Sequence, residues 1–364
     1  PPTDESTTST TASPPSIEVI ELLDAPEWSG EFPFTLGVAS GDPDPSSVVL
    51  WTRLAPEPNS GGGMPPNDQM VVIDVAVDRD FDQLVSNDLF MTSADHAHSV
   101  HHMATGLSPD SWYWYRFRLG EHTSAVGRAR TTPATNAETP LRFAFSSCQN
   151  WESGNYAAHR HLAAAGDDID LFVFLGDYIY EYGPGNRGVS SSQGLREHDS
   201  PEVTDLAGYR NRYALYKTDP LLQASHGARP WVITWDDHEV DNDYADLAAE
   251  DDQSVEDFLA RRRSAYQAWW EHLPVRLDPP SGDSYQIHRT ISWGRFADLH
   301  MLDGRQYRDP QPTDGEPVAL PGAGSFGVRR LGPTALDPNH TMLGVEQERW
   351  LIESVKTSAA TWQL

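Results

Sequence analysis

The chain is poor in cysteine, in lysine and in long apolar runs. Its 364 residues include one cysteine, Cys148, and two lysines, Lys217 and Lys356. A single cysteine cannot form an intramolecular disulfide, so disulfide pairing gives no information on the redox compartment. The formal net charge is −28 and the isoelectric point is near 4.7. Because contacts to backbone phosphates need clustered Lys and Arg, we expect no binding to duplex nucleic acid and no non-specific binding to anionic lipid.

No run of about eighteen apolar residues is present, so we expect no membrane-spanning segment. The first residues, from Pro1 to about Ser16, are rich in Ser, Thr and Pro. Such a segment is typical of the start of a processed mature protein. We therefore predict a disordered, low-complexity lead over residues 1–30 and a secreted protein, located outside the cell or in the periplasm. We also expect a monomer.

The length is two to three times that of a typical domain, which favours two domains. Aromatic residues make up 10% of the chain, which supports a globular fold. Short alternating or apolar segments, each typical of a strand, fill the first part of the chain and end at a Pro/Thr/Asn-rich linker. We predict a small β-sandwich over residues 31–134. Its strand candidates lie within 34–54, 70–77, 112–118 and 127–132.

A different pattern begins after the linker and continues over residues 140–364. Leu141–Phe145 and Leu171–Leu175 are short apolar strand candidates, and the segment between them, Asn155–Ala165, has a helical pattern. A third apolar strand is predicted at Trp231–Trp235 and a further one at Phe296–Leu302. This βαβ order predicts an α/β domain with a parallel sheet.

Each of the first three strands in that domain is followed by residues that can carry chemistry. The segments are Ser146–Asn150, Gly176–Glu181 and Asp236–Asn242. Because ligands bind at the carboxyl ends of strands in open α/β sheets, we expect the three segments to lie close together. Together they offer a thiolate, a phenolate, carboxylates and an imidazole, a ligand set for a trivalent metal beside a hard divalent one.

Each segment also has a purely structural interpretation. Cys148 can be a small buried apolar residue. Asp177 can cap a turn by accepting hydrogen bonds from backbone N–H groups. The acidic segment from Asp236 to Asp243 can be a solvated loop. A solvated loop does not account for His238, and three unrelated structural roles do not account for the shared position at strand ends.

The chain resembles the PhoD-like phosphatases, the alkaline phosphatase D family, which are related to purple acid phosphatases and calcineurin-like phosphoesterases. The resemblance runs from about Phe34 to the last residue. Its motifs are Phe34–Pro43 with Val48–Arg53 in the first domain, and Phe145–Gln149, Phe174–Glu181 and Val232–Asn242 in the second. It implies a mixed α/β (α+β) fold, with a fibronectin III-like β-sandwich followed by a metallophosphoesterase-like αββα layered catalytic domain.

The resemblance also implies the metals and their ligands. Cys148 and Tyr180 would bind Fe³⁺, Asp177 would bridge it to Ca²⁺, and Asp237 would reach the calcium side. His238 would contact the substrate phosphate or the leaving oxygen. Thiolate and phenolate ligands suit Fe³⁺, and Ca²⁺ prefers oxygen ligands.

Two weaker candidates for calcium or phosphate contact are Asn211 and Arg196, for which a structural role is equally compatible with the sequence. The implied reaction is hydrolysis of phosphate mono- or diesters, or of phospholipid head groups, by in-line attack of a metal-bound hydroxide. The substrates would be small-molecule or lipid phosphate esters.

The chain departs from the calcineurin-like pattern in one respect, since it contains no late Gly-Asp-x-His type of motif. After Asp303–Tyr307 it reaches a predicted helix at Met342–Trp350 and ends where the family begins another strand. We therefore expect a catalytic domain that is incomplete at its C-terminus, and weak metal binding or activity for this chain alone. Two other hypotheses remain open. One is a non-catalytic binding protein that uses ring stacking by Trp112 and Trp114, and the other is a calcium-stabilised surface module.

Overall fold

The structure is a computed structural model that describes residues 22–185, 196–251, 253–318 and 328–364. Most of the predicted lead lies outside the described residues. The strands are β1 (Ala39–Gly41), β2 (Val48–Arg53), β3 (Gln69–Ala76), β4 (Leu84–Thr92), β5 (Ser99–Ala104), β6 (Trp112–Leu119), β7 (His122–Thr123), β8 (Gly127–Arg130), β9 (Phe143–Ser146), β10 (Leu171–Phe174), β11 (Pro230–Ile233), β12 (Arg289–Trp293), β13 (Ala297–Met301), β14 (Thr313–Val318), β15 (Val328–Leu331) and β16 (Trp362–Gln363). The helices are α1 (Ala157–Ala164), α2 (Leu206–Lys217), α3 (Pro220–Ala228), α4 (Val255–His272) and α5 (Val345–Thr357).

The first part of the chain forms two sheets that pack face to face, as the alternating pattern predicted. Strands β4, β3, β6 and β7 form one antiparallel sheet, with β8 paired to β6. Strands β2 and β5 belong to the other. Their inward side chains, among them Leu50, Val100, Ile73 and Phe117, form one buried core. Because side chains of a strand alternate between two faces, each sheet buries one side here.

The two predicted domains share a sheet. The second sheet of the sandwich continues into the later domain, with the strand order β5-β2-β1-β11-β10-β9. Strand β1 makes the connection, because it pairs antiparallel with β2 and parallel with β11. Ser40 lies opposite Pro230 in this pairing. The linker at residues 134–140 therefore does not mark a break in the hydrogen-bonded structure.

A buried carboxylate reinforces the same junction. Asp42 follows β1 and is fully buried, and its side chain accepts hydrogen bonds from the backbone N–H of Arg276 at 2.9 Å and from Nη2 of Arg289 at 2.8 Å. Since charge-assisted bonds to a buried carboxylate are among the stronger polar contacts, the two parts of the chain are held together by more than strand pairing.

Helices cover one face of the parallel segment of this sheet and a second sheet covers the other. On one face, Phe174 and Ile233 pack among aromatic residues of α2 and α4. On the opposite face, Val173 and Val232 pack against residues of β12 and β13, which form a three-stranded sheet with β16. Trp350 of α5 contacts His300 on the outer side of that sheet. The strands predicted at 141–145, 171–175, 231–235 and 296–302 and the helices predicted at 155–165 and 342–350 are all present. Most ends are shifted by a few residues, and the last helix continues beyond its predicted end to Thr357.

Helices α2 and α4 begin where a side chain accepts a hydrogen bond from a free N–H group. Asp205 accepts a hydrogen bond from the N–H of Gly208 at 2.7 Å, and Ser254 accepts one from Asp257 at 3.1 Å. Such caps define the start of α2 and α4. In the described part of the chain, no helix combines the length and the apolar composition that a bilayer crossing requires.

Candidate metal centre

The segments that follow β9, β10 and β11 lie side by side, as predicted. These strands are parallel neighbours, so their carboxyl ends meet at one edge of the sheet. Backbone hydrogen bonds join the first two segments, with the N–H of Cys148 donating to Gly176 at 3.1 Å and the N–H of Gln149 donating to Asp177 at 3.0 Å. The functional side chains are therefore placed by main-chain pairing.

Cys148, Asp177 and Tyr180 form the first half of the cluster. The Cys148 Sγ lies 3.2 Å from Oδ2 of Asp177, and the Tyr180 hydroxyl donates to the same oxygen at 3.1 Å. Burial, followed by the charge of Asp177, raises the pKa of Tyr180, and burial also raises the pKa of the Cys148 thiol. In the protein without ions both groups are therefore protonated hydrogen-bond donors at neutral pH.

Asp177, Asp237 and His238 form the second half, since one ligand atom from each lies within 4.8 Å of the others. The Nδ1 of His238 lies 2.7 Å from Oε2 of Glu181. Burial lowers the pKa of His238, but the hydrogen bond and charge of Glu181 outweigh it and raise this pKa above its usual value. Glu181 thus orients the ring and leaves Nε2 for other contacts.

The structural interpretations of these residues do not match the contacts. Cys148 is exposed and not a buried apolar residue. The carboxylate of Asp177 accepts from the Cys148 thiol and the Tyr180 hydroxyl, whereas a turn cap accepts from backbone N–H groups. Asp237 and His238 are 5% and 4% exposed, which excludes a solvated loop.

Two of the candidate ligands have left-handed backbone conformations. The φ angle is 60° at Cys148 and 57° at Asp177, and at the preceding Gly176 it is 102°. Non-glycine residues with positive φ are uncommon and cluster at functional sites. The turns that these conformations make bring the Cys148 and Asp177 side chains together.

Glu239 is a functional residue that the motifs alone did not identify. Its buried carboxylate accepts hydrogen bonds from the backbone N–H groups of Asp177 at 3.0 Å, of Asp236 at 2.8 Å and of Tyr178. It therefore ties the segment after β10 to the segment after β11. Its one sequence signal is its place three residues after Asp236, the spacing at which a Glu bonds back to a backbone N–H in a capping box.

Arg305 is a second residue that sequence reasoning missed. Its Nε lies 2.5 Å from Oδ1 of Asp236 and its Nη2 lies 3.1 Å from Oδ1 of Asp237. Burial raises the pKa of Asp237, but Arg305 and then His238 outweigh it, and the net effect lowers this pKa. Arg305 comes from the loop after β13, about 70 residues away in sequence, so local patterns contain no signal for the contact.

The structure corrects the predictions for Arg196 and Asn211. The guanidinium of Arg196 pairs with Asp219 at 2.6 Å and lies over the Trp151 ring at 3.6 Å. Asn211 lies on α2 and its side chain accepts a hydrogen bond from the N–H of Gly61 at 3.0 Å. Both side chains are used to hold neighbouring segments, so neither joins the cluster.

The rings of Trp112 and Trp114 are also engaged within the protein. The guanidinium of Arg128 lies 3.7 Å from the centroid of Trp112 and 5.4 Å from that of Trp114. Because a cation already covers one face of each ring, this pair is less suited to stacking a ligand than the binding-protein hypothesis requires.

The cluster fits a metal ion in two respects. The second oxygen of Asp177, Oδ1, is buried and has no hydrogen-bond partner in the structure. A buried carboxylate oxygen without a donor is rare and is typical of a site that binds an ion or a water molecule. The donor types, a thiol, a phenol, carboxylates and an imidazole, are those that bind transition metals and hard cations.

Comparisons with known proteins show the family of the chain. The family model described as PhoD-like phosphatase matches residues 143–364, and the model of the PhoD-like phosphatase N-terminal domain matches residues 22–133. Alkaline phosphatase D of Bacillus subtilis (strain 168) is 46% identical over 351 residues, which are 96% of this chain and 58% of that protein. A solved structure of PhoD superposes with a TM-score of 0.85 at 46% identity, over 93% of this chain and 62% of the other. The chain thus spans less than two thirds of either relative.

Proposed function

Because the chain belongs to the PhoD-like phosphatase family, we propose that it contributes the metal centre of a phosphoesterase that hydrolyses phosphate mono- or diesters. The observation that carries the proposal is the meeting of Cys148 and Tyr180 on one oxygen of Asp177, whose other oxygen is buried and free. A purely structural Asp would have both oxygens satisfied.

We propose Cys148, Tyr180 and Asp177 as ligands of Fe³⁺, and Asp177 and Asp237 as ligands of Ca²⁺. A thiolate and a phenolate favour the ferric ion, and carboxylate oxygens favour calcium. When bound, the ions would supply Lewis-acid chemistry that neutralises negative charge on the phosphoryl oxygens. Small-molecule esters and phospholipid head groups both remain proposed substrates, and a location outside the cell or in the periplasm stays a prediction.

The protein's own residues have distinct tasks in this proposal. Glu181 holds Nδ1 of His238 and favours its protonated form, so Nε2 would donate a proton or a hydrogen bond to the leaving oxygen. Glu239 keeps Asp177 in place through backbone N–H groups, and Arg305 orients Asp237 through its carboxylate. Positioning of this kind is a large part of catalysis in phosphoryl transfer.

The proposal is tested by elemental analysis and a visible absorption spectrum of the purified protein, with turnover of p-nitrophenyl phosphate and bis-p-nitrophenyl phosphate at alkaline pH. We expect iron and calcium, a tyrosinate-to-iron absorption band, and ester hydrolysis. Tyr180→Phe should lose the band and lower turnover by about 100-fold or more, since removal of one strong active-site interaction costs about 3 kcal/mol.

Tyr113→Phe is the matched control, because the Tyr113 hydroxyl is also buried and accepts a hydrogen bond from the Ser108 N–H at 2.7 Å, but it lies in the sandwich core. This variant should keep the band and the turnover. Folded protein that binds neither metal and hydrolyses neither ester would refute the proposal, as would a full absorption band in Tyr180→Phe.

A further inference from the structure

Arg305 has one nitrogen that its carboxylate partners leave unsatisfied. Its Nε and Nη2 lie against Asp236 and Asp237, but Nη1 is buried and has no hydrogen-bond acceptor. The Oδ1 atom of Asp243 lies 3.8 Å from Nη1, which is an ion-pair distance beyond hydrogen-bond range. A guanidinium remains protonated, so this N–H is a permanent donor at the edge of the candidate metal centre.

Arg308 provides a second guanidinium with an unused donor. Its Nε is buried, and no described residue accepts a hydrogen bond from it. Burial and then the charge of Arg305 lower the pKa of Arg308, so the two cations are close enough to repel one another. The Arg308 side chain is partly exposed, which leaves it accessible from solvent.

Both arginines interact with carboxylates of the acidic segment after β11. Arg308 interacts electrostatically with Asp236, Asp243 and Asp237, the same carboxylates that surround Arg305. Two neighbouring cations with unused donors lower the energy of an anion placed between them. Phosphate oxygens match the planar fork of a guanidinium better than a halide does, because the fork can donate two parallel hydrogen bonds.

We infer that Arg305 Nη1 and Arg308 form the subsite that binds the non-reacting oxygens of the substrate phosphate. The inference rests on the proposed phosphoesterase function and adds a residue that recognises its substrate. Arg305 is also held by Asp236 and Asp237, so its replacement would disturb a proposed metal ligand. Arg308 has no such bond and is the cleaner residue to change.

The test is inhibition by inorganic phosphate, measured for the wild type, Arg308→Gln and Arg308→Lys, together with KM and kcat for the same two p-nitrophenyl esters. We expect the inhibition constant of phosphate to rise about tenfold in Arg308→Gln, with kcat changed by less than about threefold. Arg308→Lys, which keeps the charge but loses the fork, should lie between the two. KM should rise more for the dianionic monoester than for the monoanionic diester.

Arg263→Gln is the control, since Arg263 is half-exposed and pairs with Asp283 on the surface, and it should leave the inhibition constant unchanged. An unchanged inhibition constant in Arg308→Gln, or an equal rise of that constant in the control, would overturn the inference.

Calorimetric binding of inorganic phosphate to the metal-loaded protein separates the two proposals. Phosphate binding that weakens about tenfold in Arg308→Gln supports the subsite, even if the wild type shows no turnover. The missing turnover would then count against the proposed function alone. A wild-type protein that does not bind phosphate, or a variant that binds it equally well, would overturn the subsite.

Discussion

Gly176 shows how one residue controls the geometry of the candidate centre. Its φ of 102° lies in a region that L side chains rarely adopt, and a Cβ atom at this position would lie 2.4 Å from the backbone nitrogen of Asp236. Only glycine permits both the turn and the close approach of the segments after β10 and β11. The position of Asp177 relative to Asp237 therefore depends on a residue that has no side chain.

We predict that Gly176→Ala lowers the free energy of unfolding by about 3 kcal/mol and abolishes iron binding. The backbone strain contributes about 1–3 kcal/mol, and the contact with Asp236 adds to it. Urea denaturation and metal analysis measure the two effects. Gly106→Ala is the control, because Gly106 also has a positive φ, of 72°, but no atom lies within 4 Å of an added Cβ.

The control should lose about 1 kcal/mol from backbone strain and keep its metal. Equal losses of stability in the two variants would show that the approach of Asp236 has no energetic consequence.

At the scale of elements, α2 positions the segment after β10 through a buried arginine. Arg212 is fully buried, and its guanidinium donates to the carbonyl oxygens of Tyr180, of Tyr182 at 2.7 Å and of Pro201 at 3.2 Å. These carbonyl groups belong to segments outside the strands and helices. Arg212 thus supplies hydrogen bonds to the backbone around Tyr180 of the kind that a neighbouring strand supplies within a sheet.

We predict that Arg212→Lys lowers the free energy of unfolding by about 2–4 kcal/mol, because an ammonium cannot reach all of these acceptors and leaves buried carbonyl groups unsatisfied. The loop that carries Tyr180 should also shift, which weakens the iron absorption band at equal protein concentration. Thermal or urea denaturation with the visible spectrum measures both effects. Arg160→Lys on α1, where the side chain is exposed, should change neither, and a similar loss there would contradict the assignment.

The edge strand β9 is the element on which Cys148 depends. It pairs only with β10 among the described strands, and Phe145 at its centre is 67% exposed. An edge strand with exposed apolar residues is open to further pairing. The proposed thiol ligand therefore follows a strand at the edge of the sheet, whereas Asp177 and Asp237 follow strands with neighbours on both sides.

At the scale of the whole molecule, the structure buries several histidines in uncharged form. His101 stacks on Trp270 with ring centroids 4.0 Å apart, its Nε2 donates to the carbonyl oxygen of Leu273 at 3.0 Å, and burial lowers its pKa to about 4. In the unfolded chain the same histidine titrates near pH 6.5. The unfolded state therefore binds one more proton than the folded state between these two values.

We predict that the contribution of His101 to stability is present above pH 6.5 and is lost as the pH falls toward 4. The slope is about 1.4 kcal/mol per pH unit for one proton. His101→Gln removes this titrating group. As the pH falls from 6.5 toward 4, the wild type should therefore lose about 1.4 kcal/mol of unfolding free energy per pH unit relative to the variant. Urea denaturation at a series of pH values measures it, and His161→Gln, at an exposed position, should run parallel to the wild type. Parallel curves for His101→Gln would refute the prediction.

The local sequence by itself determined the strands and helices and the chemistry at their ends. Leu171–Phe174, for example, forms a buried strand, as its short and continuous apolar run indicates. Such a prediction needs only the composition of the segment and the spacing of its apolar residues. The convergence of Cys148, Asp177 and His238 was also predictable, since parallel neighbouring strands place their carboxyl ends at one edge.

Only the tertiary structure decided how distant segments meet. Two contacts join residues that are remote in sequence, namely the pairing of Ser40 with Pro230 and the ion pair of Arg305 with Asp237. The side chains of Arg196 and Asn211 could each bond to several acceptors or donors, and the structure gives both of them partners outside the cluster. Local periodicity reports which side chains are buried, but the partner of a buried polar group is set by register and packing across the whole molecule, where many contacts of similar energy compete.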